Sequence, residues 1–133
     1  MKSISAKVSK GITIGTILKV ADNSKAKFAK VVAVYNYKGV KRRYAKAGIG
    51  DLVAVSVIDG DLSLVGKVSK AVIVRQRKEY LRREGIRVKF EDNACVIVKD
   101  DIGTPAGTII RGPIAKEVTE RWAEIGKIAS IIV

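Results

Sequence analysis

Histidine is absent from the 133 residues, and cysteine, methionine and tryptophan each occur once. Without histidine, imidazole acid–base catalysis, histidine-dependent triads and histidine-ligated metal sites are excluded. The lone Cys95 can close no intrachain disulfide and build no thiolate-rich zinc site. Aromatics make up only 5% of the chain and are scattered, which argues against a base-stacking platform. No apolar run approaches the roughly 18 residues that a membrane span needs. Met1 to Lys10 mixes Lys with Ser, Ile and Ala, so no secretory signal is expected. One free cysteine and no signal fit a reducing, intracellular setting. There is no internal repeat, low-complexity tract or Pro/Ser-rich linker. One domain is expected over 1–133.

What the sequence has in excess is positive charge: 26 Lys and Arg against 13 Asp and Glu, a net +13. A hydrophobic fraction of 47% is too high for a disordered basic tail, so this is a folded basic domain with a polyanionic partner. The charge comes in blocks. Residues 1–50 hold 12 bases and one acid, residues 51–66 three acids and no base, residues 67–89 nine bases and two acids, and residues 90–133 five bases and seven acids. Such alternation predicts one side for the polyanion and another for something else. Two knots stand out: Lys38 to Lys46, with Lys41, Arg42, Arg43 and Lys46, and Arg75-Gln76-Arg77-Lys78 followed by Arg82-Arg83. Loops and strand ends that present Arg and Lys suit phosphate contact. Membrane lipid is the weaker candidate, because no anchor or basic amphipathic helix accompanies the charge.

Most of the chain reads as short strands. Thr13–Ala21, Phe28–Tyr37, Leu52–Ile58, Lys67–Arg77 and Ala94–Val98 are rich in Val, Ile and Ala and are separated by turn residues. Phe28–Tyr37 is apolar on both faces, which predicts burial on both. In Ile86-Arg87-Val88-Lys89-Phe90 the alternation points Ile86, Val88 and Phe90 inward and Arg87 and Lys89 outward. Strands at this density predict a mainly β fold and a small closed barrel. One helix is expected over Pro113–Ile125, with Ile114, Val118, Trp122 and Ile125 at helical spacing, Pro113 first and Gly126 after the end.

Other residues have plain readings. Trp122, Tyr35 and Phe90 are expected in the core and Cys95 is a small buried hydrophobe. Tyr44 and Tyr80, beside the basic knots, are candidates for base stacking. Glu91-Asp92 and Asp100-Asp101 suit turn capping better than metal binding. Ala47-Gly48-Ile49-Gly50-Asp51 lacks the context of a phosphate-binding loop. A rival reading is a Mg²⁺-dependent enzyme acting on nucleic acid through Asp51, Asp59 and Asp61. Another is a free single-strand RNA module on a similar barrel.

Five motifs in order narrow this: Ala21-Asp22-Asn23-Ser24-Lys25-Ala26-Lys27, Ala47 to Asp51, Ala71 to Lys78, Val88 to Ala94, and Gly112-Pro113-Ile114-Ala115-Lys116-Glu117-Val118. From about Gly15 to the end the chain closely resembles the universal L-fourteen family of large-subunit ribosomal proteins, in its archaeal and eukaryotic branch. The resemblance implies a closed five-stranded β-barrel over about 11–99. It also implies a C-terminal region with short α-helices over about 100–133, behind an N-terminal extension at 1–10. It implies no enzyme and no cofactor or metal. The expected role is structural, in the cytoplasm on the ribosome. The partners implied are large-subunit rRNA, small-subunit rRNA through intersubunit bridges, proteins of the L-three and L-twenty-four-e types, and anti-association factors. Carried over for rRNA contact are Asn23, Ser24, Lys27, Arg75, Arg77, Lys78 and Arg82. The charge reading adds Lys25, Lys41, Arg42, Arg43, Lys46, Arg83 and Arg87. Pro105, Gly107, Thr108 and Lys116 match the part facing the subunit interface and its factors. Lys25 stands where the family usually has Gly, which argues against a positive φ in that turn. Leu81 and Arg83 also depart from the family's pattern.

Overall fold

The computed structural model describes residues 3–133, so Met1 and Lys2 of the expected extension lie outside the described residues. Along the described chain run the strands β1 (Ala6–Lys7), β2 (Ile12–Thr13), β3 (Ile17–Val20), β4 (Ala26–Val34), β5 (Lys46–Ala47) and β6 (Leu52–Gly60). They are followed by β7 (Val68–Arg75), β8 (Tyr80–Arg82), β9 (Arg87–Val88), β10 (Ala94–Val98) and β11 (Ile110–Ile114). Helices α1 (Lys116–Arg121) and α2 (Ala123–Ile128) precede the last strand, β12 (Ala129–Ile132).

Five strands close the expected barrel in the order β10-β3-β4-β6-β7. Four of its seams are antiparallel. The fifth joins β3 to β10 in parallel, with Ala94 opposite Lys19 and Cys95 opposite Val20. The two-residue period of a strand sorts the apolar side chains into two cores. Val53, Val55 and Val57 of β6, Ala71 and Ile73 of β7, and Cys95 and Ile97 of β10 join Leu18, Ala29 and Val31 in one cluster. Their alternate neighbours Val72, Val74, Ala94, Val96 and Val98 form the other with Ile114, Val118, Trp122 and Ile125.

This second core corrects one expectation. The stretches buried on both faces are β10, the second half of β7 and the start of β6 (Leu52 to Val55), where the C-terminal helices cover the sheet, and not β4. On β4, Val32 and Ala33 are exposed while Ala29 and Val31 are buried. Tyr35, expected in the core, is also exposed.

The C-terminal helix is corrected too. Ile114, Val118, Trp122 and Ile125 are buried as their spacing predicts. Pro113, however, lies in β11, which pairs along its length with β12 and, among the described residues, bridges otherwise through Ile110 to Asp22, a setting that tolerates a missing N–H at Pro113. The helical run breaks at Trp122 (φ −124°, ψ 83°), and Gly126 lies inside α2 rather than after it. Holding the break, the Trp122 indole Nε1–H donates to the Gly50 carbonyl at 2.8 Å. Ile86, expected inward, is 59% exposed. It sits in the turn between β8 and β9, where the Arg82 amide donates to its carbonyl at 2.8 Å.

Candidate nucleic-acid interface

The basic knots meet different fates. Loop 38–46 follows the end of β4 and runs into β5 at Lys46, which pairs with Thr13 of β2; polar groups of the loop and of Tyr37 hold it further. The Tyr37 hydroxyl donates to the Tyr44 carbonyl at 2.8 Å, and the Arg43 amide donates to the Val40 carbonyl at 3.1 Å. Asn36 and Arg42 take left-handed conformations, at φ 60° and 70°. Lys38, Lys41, Arg42, Arg43 and Lys46 are all exposed. None of them has an ion-pair partner among the described residues. Tyr44, in the middle of this charge, is 82% exposed.

The second knot is largely turned inward, against expectation. Arg75 is buried at 6% exposure. Its Nε and Nη2 donate to Asp92 at 2.8 and 3.2 Å, and its Nη1 donates to the carbonyls of Arg111 and Pro113, each at 3.1 Å. Gly112 makes this possible: its φ is +77°, and a Cβ there would lie 2.7 Å from Arg75 Nη1. Arg82 is tied down as well, donating from Nε to Glu117 Oε1 at 2.8 Å. The hydroxyl of Tyr80 donates to Glu117 Oε2 at 2.8 Å. Tyr80 is wholly buried, so it offers no ring to a base. Its burial, then the hydrogen bond to the Glu117 carboxylate, holds the phenol well above its usual pKa. Asp92 therefore serves as an ion-pair partner and not as a turn cap. Arg77, Lys78, Arg83 and Arg87 remain exposed, and Lys78 contacts Glu79 at 3.2 Å.

The first turn divides in the same way. The Oδ1 of Asn23 accepts from the Thr108 amide at 2.8 Å, and its Nδ2 donates to the Thr108 hydroxyl at 2.8 Å. The Ser24 hydroxyl donates to Asp22 Oδ1 at 2.6 Å, and Asp22 Oδ2 accepts from the Ile97 amide at 3.2 Å. Burial raises the Asp22 carboxyl above its ordinary pKa, against the pull of these hydrogen bonds. Asn23 and Ser24 thus act as braces, while Lys25 and Lys27 are exposed. Lys25 has φ 71°, so the left-handed conformation persists without the family's glycine. The turn is braced against the 105–108 segment expected to face the subunit interface. There Pro105 bridges to Val98, Gly107 packs close to Asn23, and Thr108 is exposed. Lys116 is half-buried, 3.6 Å from Glu84.

Four of the acids are drawn into ion pairs with bases of other segments. Asp51 pairs with Lys10 and Arg121, Asp92 with Arg75, Asp101 with Lys70, and Glu117 with Arg82. They neutralise bases of the neighbouring blocks and leave loop 38–46 uncompensated. Asp100 caps its turn as expected, accepting from the amides of Ile102, Gly103 and Thr104. Asp51 and Asp59 sit at opposite ends of β6, about 26 Å apart along an extended strand, too far to share an ion. Cys95 is fully buried, and burial pushes its thiol up to about 12.

Sequence reasoning missed a further set of cations. Lys19, Lys89 and Arg111 are exposed and line a cleft of about 700 Å³ over the buried Arg75. Lys19 could have been found from the alternation of β3, where Leu18 and Val20 point inward.

A family model described as ribosomal protein L14p/L23e matches residues 11–133, a match that begins just before the first recognisable motif. Across all 133 residues and the whole of each relative, the chain is 59% identical to the large ribosomal subunit protein uL14 of Nanoarchaeum equitans. It is 50% identical over the same span to that of Methanothrix thermoacetophila, and 48% to that of Methanocella arvoryzae. With the barrel, the motif order and full-length identity at this level in agreement, the chain belongs to the ribosomal protein L14p/L23e family.

Proposed function

We propose that the chain is a structural, non-catalytic constituent of the large ribosomal subunit that binds large-subunit rRNA, working in the cytoplasm on the ribosome. The observation that carries RNA contact is loop 38–46. Its five cations are exposed, fixed in shape, and without an acid partner among the described residues. Arg and Lys there neutralise phosphates and release condensed counterions. Lys25, Lys27, Arg77, Lys78, Arg83 and Arg87 extend the contact. Asn23, Ser24, Arg75 and Arg82 act one step back, by holding the loops that carry those cations. The turn at Pro105, Gly107 and Thr108, with Lys116, faces the small subunit. It supports bridges to small-subunit rRNA and docking of anti-association factors. Proteins of the L-three and L-twenty-four-e types are its neighbours. Support for this finer assignment is family membership together with the brace between the first turn and Thr108.

The test is rRNA affinity against salt concentration for Arg42→Glu/Arg43→Glu. Losing two phosphate contacts should lower the slope of log K against log salt by about 1.8. Unchanged slope and intact subunit incorporation would show that this loop is not the RNA face.

A further inference from the structure

Loop 38–46 and the end of β4 enclose an open cleft of about 800 Å³. That volume falls within the roughly 300–1,000 Å³ of ligand-sized sites. Three of the chain's four tyrosines line it: Tyr35, Tyr37 and Tyr44. Arg42, Arg43 and Lys46 stand on the same walls, and none of them has an ion-pair partner among the described residues. Asp51 also reaches the cleft, but its carboxylate is held by Lys10 at 2.7 Å, by Arg121 at 3.3 Å and by the Gly48 amide at 2.8 Å.

We propose that this cleft captures a single unpaired nucleotide of RNA, its base stacked on the exposed tyrosine rings and its phosphates on Arg42, Arg43 and Lys46. The proposal rests on the RNA-binding reading above and deepens it. Here two of the rings are solvent-exposed: Tyr44 lies among the cations and Tyr35 at the end of β4. Exposed rings beside guanidinium groups are the chemistry that receives splayed-out bases. The loop is also prepared in advance. The Tyr37 hydroxyl bonded to the Tyr44 carbonyl at 2.8 Å closes it on itself, and left-handed residues at Asn36 and Arg42 set its bends. A loop ordered before binding loses less entropy on capture. Lys70 stands 5.8 Å from the centre of the Tyr35 ring, but its charge is paired with Asp101 at 2.6 Å, so the phosphate-binding cations of the cleft are Arg42, Arg43 and Lys46.

The experiment compares two RNA duplexes that differ only by one bulged 2-aminopurine, titrated against the full-length chain. The bulged RNA should bind about 5- to 160-fold more tightly than the plain duplex, the range expected for one stacked base. Its 2-aminopurine fluorescence should be quenched on binding. Tyr44→Ala should bring the affinity ratio close to one, and Tyr37→Phe should lower it by loosening the loop. The readout is a ratio, so a general loss of affinity does not mimic the effect. The Tyr44 side chain is exposed, so truncating it leaves the core intact. Equal affinity for both RNAs, with both weakened by Arg42→Glu/Arg43→Glu, overturns base capture and leaves the RNA-binding reading standing. Binding of free adenosine monophosphate as tightly as the bulged RNA also overturns the proposal, because the cleft would then be a small-molecule site. Failure to bind either RNA overturns both.

Discussion

Replacing Glu117 by Gln should destabilise the protein more than its small change in shape suggests. Glu117 is 1% exposed and holds two side chains at once, Arg82 through Oε1 and Tyr80 through Oε2, both at 2.8 Å. The amide can offer its oxygen to only one of them. Turned toward Arg82, it presents N–H groups to a hydroxyl that already receives Arg82 Nη2 at 3.2 Å. Turned toward Tyr80, it sets donor against donor at Nε. In both orientations the guanidinium, 13% exposed, loses its counter-charge. Breaking a buried pair costs about 3–5 kcal/mol. Arg82 keeps some access to water and to the Val133 carbonyl, so the lower end, about 3 kcal/mol, is expected. At this chain length that corresponds to a fall in Tm of roughly 10 °C. Urea unfolding of Glu117→Gln, Arg82→Met and the paired Arg82→Met/Glu117→Gln variant measures the coupling. The paired change should cost less than Glu117→Gln alone, because no charge is left unpaired. A loss below about 1 kcal/mol, or strictly additive effects, would refute the account of Arg82 as an internal cation.

Two more outcomes follow from the first turn. Burial raises the Asp22 carboxyl, so the folded state holds that proton more tightly than the unfolded chain does. The stability it contributes is complete below the unfolded value near 3.8 and is lost as pH rises through the folded value. Asp22→Asn should flatten the dependence of stability on pH just above 3.8, measured by urea unfolding; an unaltered slope contradicts the assignment. Lys25→Gly should raise stability by about 0.5–1 kcal/mol, because relief at φ 71° outweighs the extra freedom of the unfolded chain. The same variant should bind rRNA more weakly, and lower stability on thermal unfolding would refute the strain at Lys25.

Strand content was legible because β-branched runs carry it. The segment Ala94–Val98, read from its composition, coincides with β10. The apolar positions Ile114, Val118, Trp122 and Ile125 were legible for the same reason, although the helix boundaries around them were not. Pro113 signals a helix start in isolation, and only the pairing of β11 with β12 makes it a strand residue. The basic residues were the hardest to sort. Arg75 and Arg87 look alike in sequence, yet Arg75 ends on a strand facing Asp92 and two free carbonyls, while Arg87 faces water. Which guanidinium finds an acid is decided by contacts between distant segments, and no local pattern records them. Tyr80 and Tyr44 part company for the same reason, one against Glu117 and the other in solvent.

The parallel seam between β3 and β10 has a consequence for how the chain is made. Asp22, beside β3, bonds to Ile97 across 75 residues of sequence. Until β10 has been synthesised, β3 and β7 each carry an open edge, and the buried carboxylate has no amide from Ile97 to hold. Open edges of this kind are templates for wrong pairing. Non-local closure also makes folding slow, in the millisecond-to-second range typical of barrels. A nascent chain that ends before Ala94 is therefore a partly assembled sheet already carrying loop 38–46. Its cations can attract RNA before the scaffold that aims them exists.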